Sequence, residues 1–489
     1  MKIYFLILST LLSFVFYTLN AQQINFEKTY GLPGYNYGEK AIQTNDEGYI
    51  ILGNKSGFTG SSDIYLIKTD TVGKIIWDKA IGDSNIEWAE DIIPTFDNGF
   101  VISGYSNNGT NNDYQVLLIK LDSTGNVKWN KSFGGNDWDF AYSLVQTPDS
   151  GFIIIGETYS YGNGNNDVFI LKTDKNGTQE WQKTYGGSNE DVAKSINPYK
   201  NGFVIGGYTN SFGAGQYDCY LLYIDQFGDT LWTRTFGDSL DDKCFCAKQV
   251  ENYRIILTGS TQNYGAKQID PIIYKIDSAA NKLWHNLHGG TDDDEYFDFI
   301  VNHKNQYVFA GYTKSFGYAL EDFYSIATDN GGYGIFGSTF GKDKTDIAYS
   351  INQTKDKGYI LAGTSTSLGI GISNIYVIKA DSILQFTPGN HSHELGIITK
   401  SKNNKNFVKI YPNPSDKLIN IEICLKTPAN IKIYISDILG QEIYYKKIEN
   451  NPIGNTITTI DLSKFNNGIY FTKLLINNTK YSQKIVLTK

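Results

Sequence analysis

The chain has 489 residues, a net charge of −8, 14% aromatic residues, 49 glycines and a single methionine. This length suits two or three domains, and the many aromatic and glycine residues favour strands joined by turns. Most of the negative charge lies in residues 22–381, whereas residues 407–489 are net basic. An acidic central region excludes a nucleic-acid partner, because nucleic-acid binding needs a basic surface.

The N-terminus has the pattern of a secretory signal peptide. Lys2 precedes an apolar run from Ile3 to Leu19, and a small residue follows shortly after it. We therefore predict a signal peptide over residues 1–21, cleaved between Ala21 and Gln22. No cysteine follows the cleavage point, so a lipid anchor is not expected, and no later stretch is apolar enough to be a transmembrane segment.

Five tryptophans mark an internal repeat of about fifty residues. They stand 51 or 52 residues apart, and four of them end a phrase of the form Asp-x-x-Gly-x-x-x-Trp, as in Asp70, Gly73 and Trp77. Each repeat contains four short apolar runs separated by Asn-Gly or Gly turns, which predicts a four-stranded antiparallel sheet. A fixed period near fifty residues indicates a repeat architecture.

Counting the strand phrases predicts seven blades. The second and third strand phrases each occur seven times, but the fourth occurs six times after its own third strand. The missing copy stands at the N-terminus, from Phe26 to Gly31. We therefore predict an all-β fold with a seven-bladed β-propeller over residues 22–381, in which the N-terminal strand completes the last blade and removes a sheet edge.

The repeated phrase resembles the tryptophan-docking motif of quinoprotein-like propellers. The resemblance implies that a large aromatic ring of each blade is wedged against the next blade, where it buries much apolar area. The residues in question are Trp77, Trp129, Trp181, Trp232, Trp284 and, in place of tryptophan, Phe336. Ala280 replaces the glycine in blade five. The motif is structural and does not imply quinone binding.

The repeat ends before residue 382. Residues 382–406 are expected to be a linker, and its His391 and His393 are interpreted as solvated side chains rather than metal ligands. Residues 407–489 alternate between apolar and polar positions, which predicts a small immunoglobulin-like β-sandwich.

Four phrases in this last region resemble the type IX secretion C-terminal sorting domain (type A) of certain Gram-negative bacteria. They contain Tyr411, Pro412, Asn413, Pro414, Asp437, Gly440, Gly468 and Tyr470. The resemblance implies export by the signal peptide, outer-membrane translocation by the type IX secretion machinery, removal of the domain, and release or surface attachment. The alternative is a generic immunoglobulin-like module.

Cys219 and Cys244 occupy positions that hold small apolar residues in other repeats, which favours a core role. A disulfide between these neighbouring repeats is the alternative in an oxidising compartment.

An acidic residue follows five positions after the glycine that ends most fourth strands. The resulting candidate ring comprises Glu39, Glu87, Asp139, Asp191, Asp242, Asp294 and Asp346. One interpretation is a cation or ligand site, with calcium as a possible cofactor, since calcium prefers oxygen ligands. The other is that each carboxylate accepts hydrogen bonds from loop N–H groups and serves the repeat.

The loops between second and third strands carry aromatic residues next to Asn and Asp. These candidates for stacking on sugar rings are Tyr161, Phe212, Tyr264, Phe316 and Tyr318, and packing within the loops is the alternative. Five histidines and no nucleophile motif favour a non-catalytic binding or scaffold protein with a glycan or protein ligand. The alternatives are a propeller enzyme (a lyase, glycosidase or quinone-dependent dehydrogenase) and a structural surface component.

Overall fold

The computed structural model describes residues 25–56, 61–108, 113–262, 268–317, 320–385, 393–394, 407–411, 415, 417–425, 428–437, 441–451, 454–477 and 479–487. The predicted cleavage site at Ala21 and Gln22 lies outside these ranges. Within them the secondary structure consists of strands and one 3-10 turn, Glu251–Tyr253, and no helix is long and apolar enough to cross a bilayer.

Seven antiparallel sheets follow one another along the chain, as the repeat predicts; each has four blade strands, and one of them is extended by a short fifth strand. Blade one comprises β2 (Tyr35–Gln43), β3 (Tyr49–Ser56), β4 (Ser62–Thr69) and β5 (Ile75–Ile81). Blade two comprises β6 (Glu87–Pro94), β7 (Phe100–Ser106), β8 (Gln115–Leu121) and β9 (Val127–Phe133). Blade three comprises β10 (Asp139–Gln146), β11 (Phe152–Thr158), β12 (Asp167–Thr173) and β13 (Gln179–Tyr185). Blade four comprises β14 (Asp191–Tyr199), β15 (Gly202–Thr209), β16 (Asp218–Asp225) and β17 (Thr230–Phe236).

The remaining blades repeat this order. Blade five comprises β18 (Asp242–Gln249), β19 (Ile255–Thr261), β20 (Asp270–Ile276) and β21 (Lys282–Leu287). Blade six comprises β22 (Asp294–Val301), β23 (Tyr307–Thr313), β24 (Asp322–Thr328) and β25 (Gly334–Phe340). Blade seven comprises β26 (Asp346–Gln353), β27 (Tyr359–Ser365), β28 (Asn374–Ala380) and the N-terminal β1 (Phe26–Tyr30).

Burial explains the composition of the strands. The two middle strands of a blade are covered on both faces by neighbouring blades, so every residue of β11 and β12 is buried. Such strands need near-continuous apolar runs rather than alternation. The fourth strand lies at the outside, and residues of β13 are half-buried or exposed.

The N-terminal strand closes the ring as the sequence predicts. Strand β1 pairs antiparallel with β28, from Phe26 opposite Lys379 to Tyr30 opposite Ile375. Phe26 and Tyr30 are 5% and 6% exposed, and the Tyr30 hydroxyl donates a hydrogen bond of 2.7 Å to the carbonyl oxygen of Gly73 in blade one. Main-chain pairing therefore makes the N-terminal strand part of the last blade, and the Tyr30 side chain connects that blade to blade one.

The Asp-x-x-Gly turn is built by its aspartate and receives the tryptophan of the preceding blade. Asp225 Oδ1 accepts the N–H groups of Phe227 and Asp229 at 2.8 and 2.9 Å, and Gly228 has a φ of +83°. A Cβ atom at Gly228 would come within 2.7 Å of the Trp181 ring. Glycine is thus needed for the left-handed backbone and for the close approach of the indole.

Two of these turns have another residue at the position of the glycine. Ala280 and Leu384 take its place with φ of +65° and +61°. Leu384 is buried in one cluster with Phe336, so a leucine fills space where phenylalanine replaces the larger indole. The propeller core consequently extends to the turn at Leu384, slightly beyond the predicted boundary at residue 381. The linker residues His393 and Glu394 form β29, which pairs with β25.

The cysteines Cys219, Cys244 and Cys246 are free and buried. Cys219 and Cys244 belong to one apolar cluster, so the structure has the core arrangement and not the disulfide. Burial raises the pKa of the Cys219 thiol well above its ordinary value.

A buried lysine in the third strand is a second repeated feature, which the sequence analysis missed. In five blades its ammonium group reaches an acidic side chain 2.5–2.9 Å away, near the turn between first and second strands. The five residues are Lys68, Lys120, Lys172, Lys275 and Lys379. Burial opposes ionisation of Asp97, yet hydrogen bonds from Lys120 and Thr95 outweigh it and lower the pKa of Asp97 to about 2.

We expect these pairs to make the fold sensitive to acid. The pKa of Asp149 is also lowered to about 2, against about 4 in an unfolded chain. A depressed pKa stabilises the folded state above about pH 4, and this stabilisation is lost as the pH falls towards about 2. Urea unfolding at several pH values in this interval should show a falling free energy of unfolding. Replacing Asp97 and Asp149 with Asn should flatten that dependence, and an unchanged slope would contradict the assignment.

The C-terminal region forms two sheets around its own core. One sheet contains β30 (Phe407–Tyr411), β31 (Leu418–Leu425) and β34 (Gly454–Asp461). The other contains β32 (Ala429–Ser436), β33 (Glu442–Asn451), β35 (Gly468–Ile476) and β36 (Thr479–Leu487). Apolar residues of both sheets form one buried cluster, as in a β-sandwich; its closer assignment as immunoglobulin-like stays a prediction.

Candidate functional site: the propeller channel and its rim

The first strand of every blade contains a β-bulge at the same position. The register with the second strand shifts there by one residue in all seven sheets. A bulge redirects a side chain from the regular pleat. The seven bulge residues all line one central cavity of about 550 Å³; they are Glu39, Glu90, Tyr142, Lys194, Phe245, Phe297 and Tyr349.

These residues divide the channel wall into two parts of different chemistry. The blades one to four contribute the polar arc, which consists of Glu39, Glu90, Tyr142 and Lys194. The blades five to seven contribute the aromatic arc, which consists of Phe245, Phe297 and Tyr349. A repeat that is otherwise regular therefore encloses a markedly asymmetric cavity.

The charged groups of the polar arc have few direct partners. Asn54 donates a hydrogen bond of 3.1 Å to Glu39, whereas Glu90 accepts none from any described residue. The Lys194 ammonium lies 3.2 Å from the centre of the Tyr142 ring. No carboxylate of the described part of the chain lies within ion-pair distance of Lys194.

Burial in the channel shifts the pKa values of these charged groups. Burial and the nearby charge of Glu90 hold the pKa of Glu39 well above its ordinary value. Burial also raises the pKa of Glu90 to about 7, although Lys194 opposes the shift. The pKa of Lys194 is lowered by burial. The arc thus holds ionisable groups whose charges lack full compensation.

The rings of the aromatic arc lie next to one another at the cavity wall. The centres of the Phe245 and Phe297 rings are 5.2 Å apart, and those of Phe297 and Tyr349 are 5.4 Å apart. The Tyr349 hydroxyl makes no hydrogen bond with a described residue. The arc therefore combines an apolar surface with a free hydroxyl group.

The residues that follow the bulge join neighbouring blades instead. Lys40 pairs with Asp91 at 2.6 Å, and Lys248 pairs with Asp298 at 2.7 Å. Asp298 also accepts the N–H group of Ile351 in the next blade at 3.2 Å. These charges are satisfied within the protein, unlike those of the polar arc.

The predicted acidic ring is placed differently from the channel. Six of its members begin the first strands of their blades, and each accepts a loop N–H four residues earlier at 2.7–3.2 Å. The six are Glu87, Asp139, Asp191, Asp242, Asp294 and Asp346. Loop serines add hydrogen bonds to Asp139, Asp191 and Asp346. These hydrogen bonds correspond to the alternative in which each carboxylate accepts loop N–H groups and serves the repeat.

Blade one requires a correction. We predicted Glu39 as its member of the acidic ring, but the bulge register places Asn36 there, and Asn36 accepts the N–H of Leu32 at 3.2 Å. Glu39 is the bulge residue. Within the described ranges, no three His, Cys, Asp or Glu side chains are grouped to hold a metal ion, and calcium stays a prediction.

The predicted loop aromatics do not form one surface. Tyr161 stacks on Phe169 and donates a hydrogen bond of 2.8 Å to Gly134, and Phe316 packs against Tyr324. Phe212 is 44% exposed and contacts Tyr220. Tyr264 and Tyr318 lie outside the described residues.

An aromatic patch that the sequence did not predict lies at the end of the propeller that carries the loops between second and third strands. We define it by Tyr105, Tyr114, Trp138, Phe140 and Tyr159, whose neighbouring ring centres are 4.9–6.5 Å apart. Trp138 and Tyr159 are 45% and 40% exposed. Phe140 stacks on Tyr142, so the patch runs from the rim into the channel.

The sorting residues lie partly in the described structure. Tyr470 is buried, and its hydroxyl donates a hydrogen bond of 2.8 Å to Asn466. Asp437 accepts the N–H of Gln441 at 2.9 Å, and Gly468 begins β35. Tyr411 belongs to β30, whereas Pro412, Asn413, Pro414 and Gly440 lie outside the described residues.

Comparison with known families identifies the C-terminal domain. Residues 409–488 match the secretion system C-terminal sorting domain. The region is thus a type IX secretion sorting domain, as its sequence phrases predict, and the protein is secreted or attached to the outer surface.

Comparisons of the whole chain show more distant similarities. The regulatory protein FlaEY of Caulobacter vibrioides is 24% identical over 207 residues, which cover 37% of this chain and 21% of that protein. The chain thus spans about a fifth of the length of this curated relative.

Solved propeller structures resemble the chain in fold alone. PorZ, a surface component of the type IX secretion system of Porphyromonas gingivalis, is 12% identical, with 91% of this chain and 69% of PorZ covered and a TM-score of 0.34. The propeller domain of the Trilobed protease from Pyrococcus furiosus is 10% identical, with 72% and 97% covered and a TM-score of 0.42.

Proposed function

We propose that this exported propeller is a non-catalytic binding protein that captures glycans through the aromatic patch. The observation that supports this most is the exposed pair Trp138 and Tyr159 at the rim of the channel. Their rings are 6.1 Å apart, and the main-chain N–H of Tyr159 donates a hydrogen bond of 2.8 Å to the carbonyl oxygen of Trp138.

Exposed aromatic rings next to polar groups suit a sugar. The apolar face of a pyranose ring stacks on an aromatic ring, while neighbouring carboxylates and amides accept or donate hydrogen bonds. Asp137 is exposed beside Trp138, and Glu157 accepts hydrogen bonds from Tyr142 and Asn166 at the inner side of the patch. Rings held by their neighbours lose little conformational entropy on binding.

The loop between β9 and β10 and the loop between β11 and β12 place this pair at one end of the molecule. Consecutive strands run antiparallel, so these two connections share an end, opposite to the Asp-x-x-Gly turns. The rim of an exported propeller can then face large polymers outside the cell, whereas a deep cleft would restrict them.

The test is a glycan array screened with the purified protein, followed by calorimetry with the best ligand. Trp138→Ala should weaken binding at least about tenfold, because aromatic anchors carry much of the binding energy at such sites. Phe227→Ala is the matched control, since Phe227 is 61% exposed in a turn at the opposite end. Equal binding by wild type and Trp138→Ala, or no glycan bound by wild type, would refute the proposal.

A further inference from the structure

The polar and aromatic arcs together form a second site, deeper in the channel than the exposed residues of the aromatic patch. This second site adjoins the patch where Phe140 stacks on Tyr142, but its ligand contacts are those of the two arcs. We propose that the channel binds a small organic cation with an apolar body. The cationic group lies between Glu39 and Glu90, which we name the acidic pair, and the apolar body lies against the aromatic arc. This inference does not depend on glycan binding.

The acidic pair lacks a positive partner of its own. Neither carboxylate forms an ion pair with a described lysine or arginine. Protein surrounds both side chains, although water reaches them through the channel. Burial without a positive partner destabilises the ionised form of a carboxylate. An ammonium ion that binds between the two carboxylates offsets this cost.

Lys194 does not supply that compensation directly. Its ammonium group is placed over the Tyr142 ring, in a cation–π contact rather than an ion pair. The aromatic arc on the other side of the channel adds three more ring systems, whose faces attract cations and whose area favours an apolar body. The cavity of about 550 Å³ falls within the range of small-molecule sites, about 300–1,000 Å³.

The raised pKa of Glu90 makes cation binding dependent on pH. The pKa of Glu90 is raised to about 7, so the carboxylate form grows as the pH rises from 6 to 8, and cation binding should strengthen over that interval. Several ionisable groups face Glu90 from the surrounding strands: Glu39 on β2, Asp91 on β6, Tyr105 on β7, Tyr142 on β10, Lys194 on β14 and Tyr349 on β26.

The experiment is calorimetric titration of the purified protein at pH 8 with benzylamine and benzyltrimethylammonium, and with benzyl alcohol and benzoate as neutral and anionic counterparts. We expect the two cations to bind at least about tenfold more tightly than either counterpart. The reason is that interactions with a charged partner are stronger than those between neutral groups. Glu90→Gln, which keeps the side-chain volume, should weaken cation binding by a similar factor. Glu442→Gln on the exposed surface of the C-terminal domain is the matched control.

Lys194→Met provides a test of opposite sign. Lys194 also favours the ionised form of Glu90, so this variant is compared with wild type at a pH where Glu90 is ionised in both. Removal of a positive charge from the channel should then strengthen cation binding, whereas a site for anions would lose affinity. Thermal unfolding of each variant checks that the fold is retained, and Glu39→Gln replaces Glu90→Gln if the latter is unstable. Tighter binding of benzoate than of the cations, or no binding of either cation, would overturn the proposal.

Discussion

Replacing Trp181 with Ala is expected to lower the free energy of unfolding by about 3 kcal/mol, near the lower end for truncation of a large aromatic side chain. The indole is half-buried, and it lies against the turn of the next blade at Gly228. The glycine cannot close the resulting space, because the Asp225 hydrogen bonds hold the turn in place. Urea or thermal unfolding measures the loss.

Trp138→Ala is the natural control for this change. It removes the same side chain from an exposed position, where substitutions usually alter stability by less than about 0.5 kcal/mol. Trp181→Ala should therefore lose stability, whereas Trp138→Ala should lose glycan binding. An unchanged unfolding midpoint for Trp181→Ala would show that the tryptophan does not hold the blades together.

Deletion of residues 22–31 is expected to open the ring and cause self-association. The deletion removes β1, exposes the edge of β28 and uncovers apolar residues that Phe26 and Tyr30 cover. An unpaired strand of this kind is a template for pairing with another chain. Size-exclusion chromatography with light scattering should find oligomers or aggregates in place of monomers.

Two further samples make the cause clear. Lys28→Ala alters the same strand at an exposed position and should leave the protein monomeric. A synthetic peptide of residues 25–32, added to the deleted protein, should restore the monomer by occupying the vacant edge. A deleted protein that remains monomeric with its original unfolding midpoint would contradict closure by β1.

The seven blades and their closure could be predicted because each depends on local signals that recur. The turn aspartates occur in every blade, and the glycines with positive φ and the docking tryptophans occur in most blades, so repetition reveals them. The count of strand phrases predicts the N-terminal position of the missing fourth strand, and Phe26 stands where most other blades have tryptophan. The sorting domain was recognisable from short phrases in fixed order.

The channel could not be predicted in the same way. A bulge shifts the alternation of side chains by one residue, which made Glu39 resemble a member of the acidic set instead of Asn36. The bulge residues also vary among glutamate, lysine, tyrosine and phenylalanine, so a search for one repeated residue discards them. A usable signal is the residue after the small one found in six of the seven first strands, as in Ala89, Ala141 and Ala193, since its variability contrasts with the neighbouring small residue; blade six has Tyr296 at the small position.

The closing strand also has a consequence for the order of folding. Glu27 and Tyr376 are hydrogen-bonded although 349 residues separate them, and contacts of such sequence separation form slowly because the intervening chain must first be ordered. The first strand of the propeller to be synthesised therefore finds its partner only after the seventh blade has been made. Until then the chain carries two unpaired edges, so the period between synthesis and ring closure is the one in which this protein depends most on being kept apart from other copies.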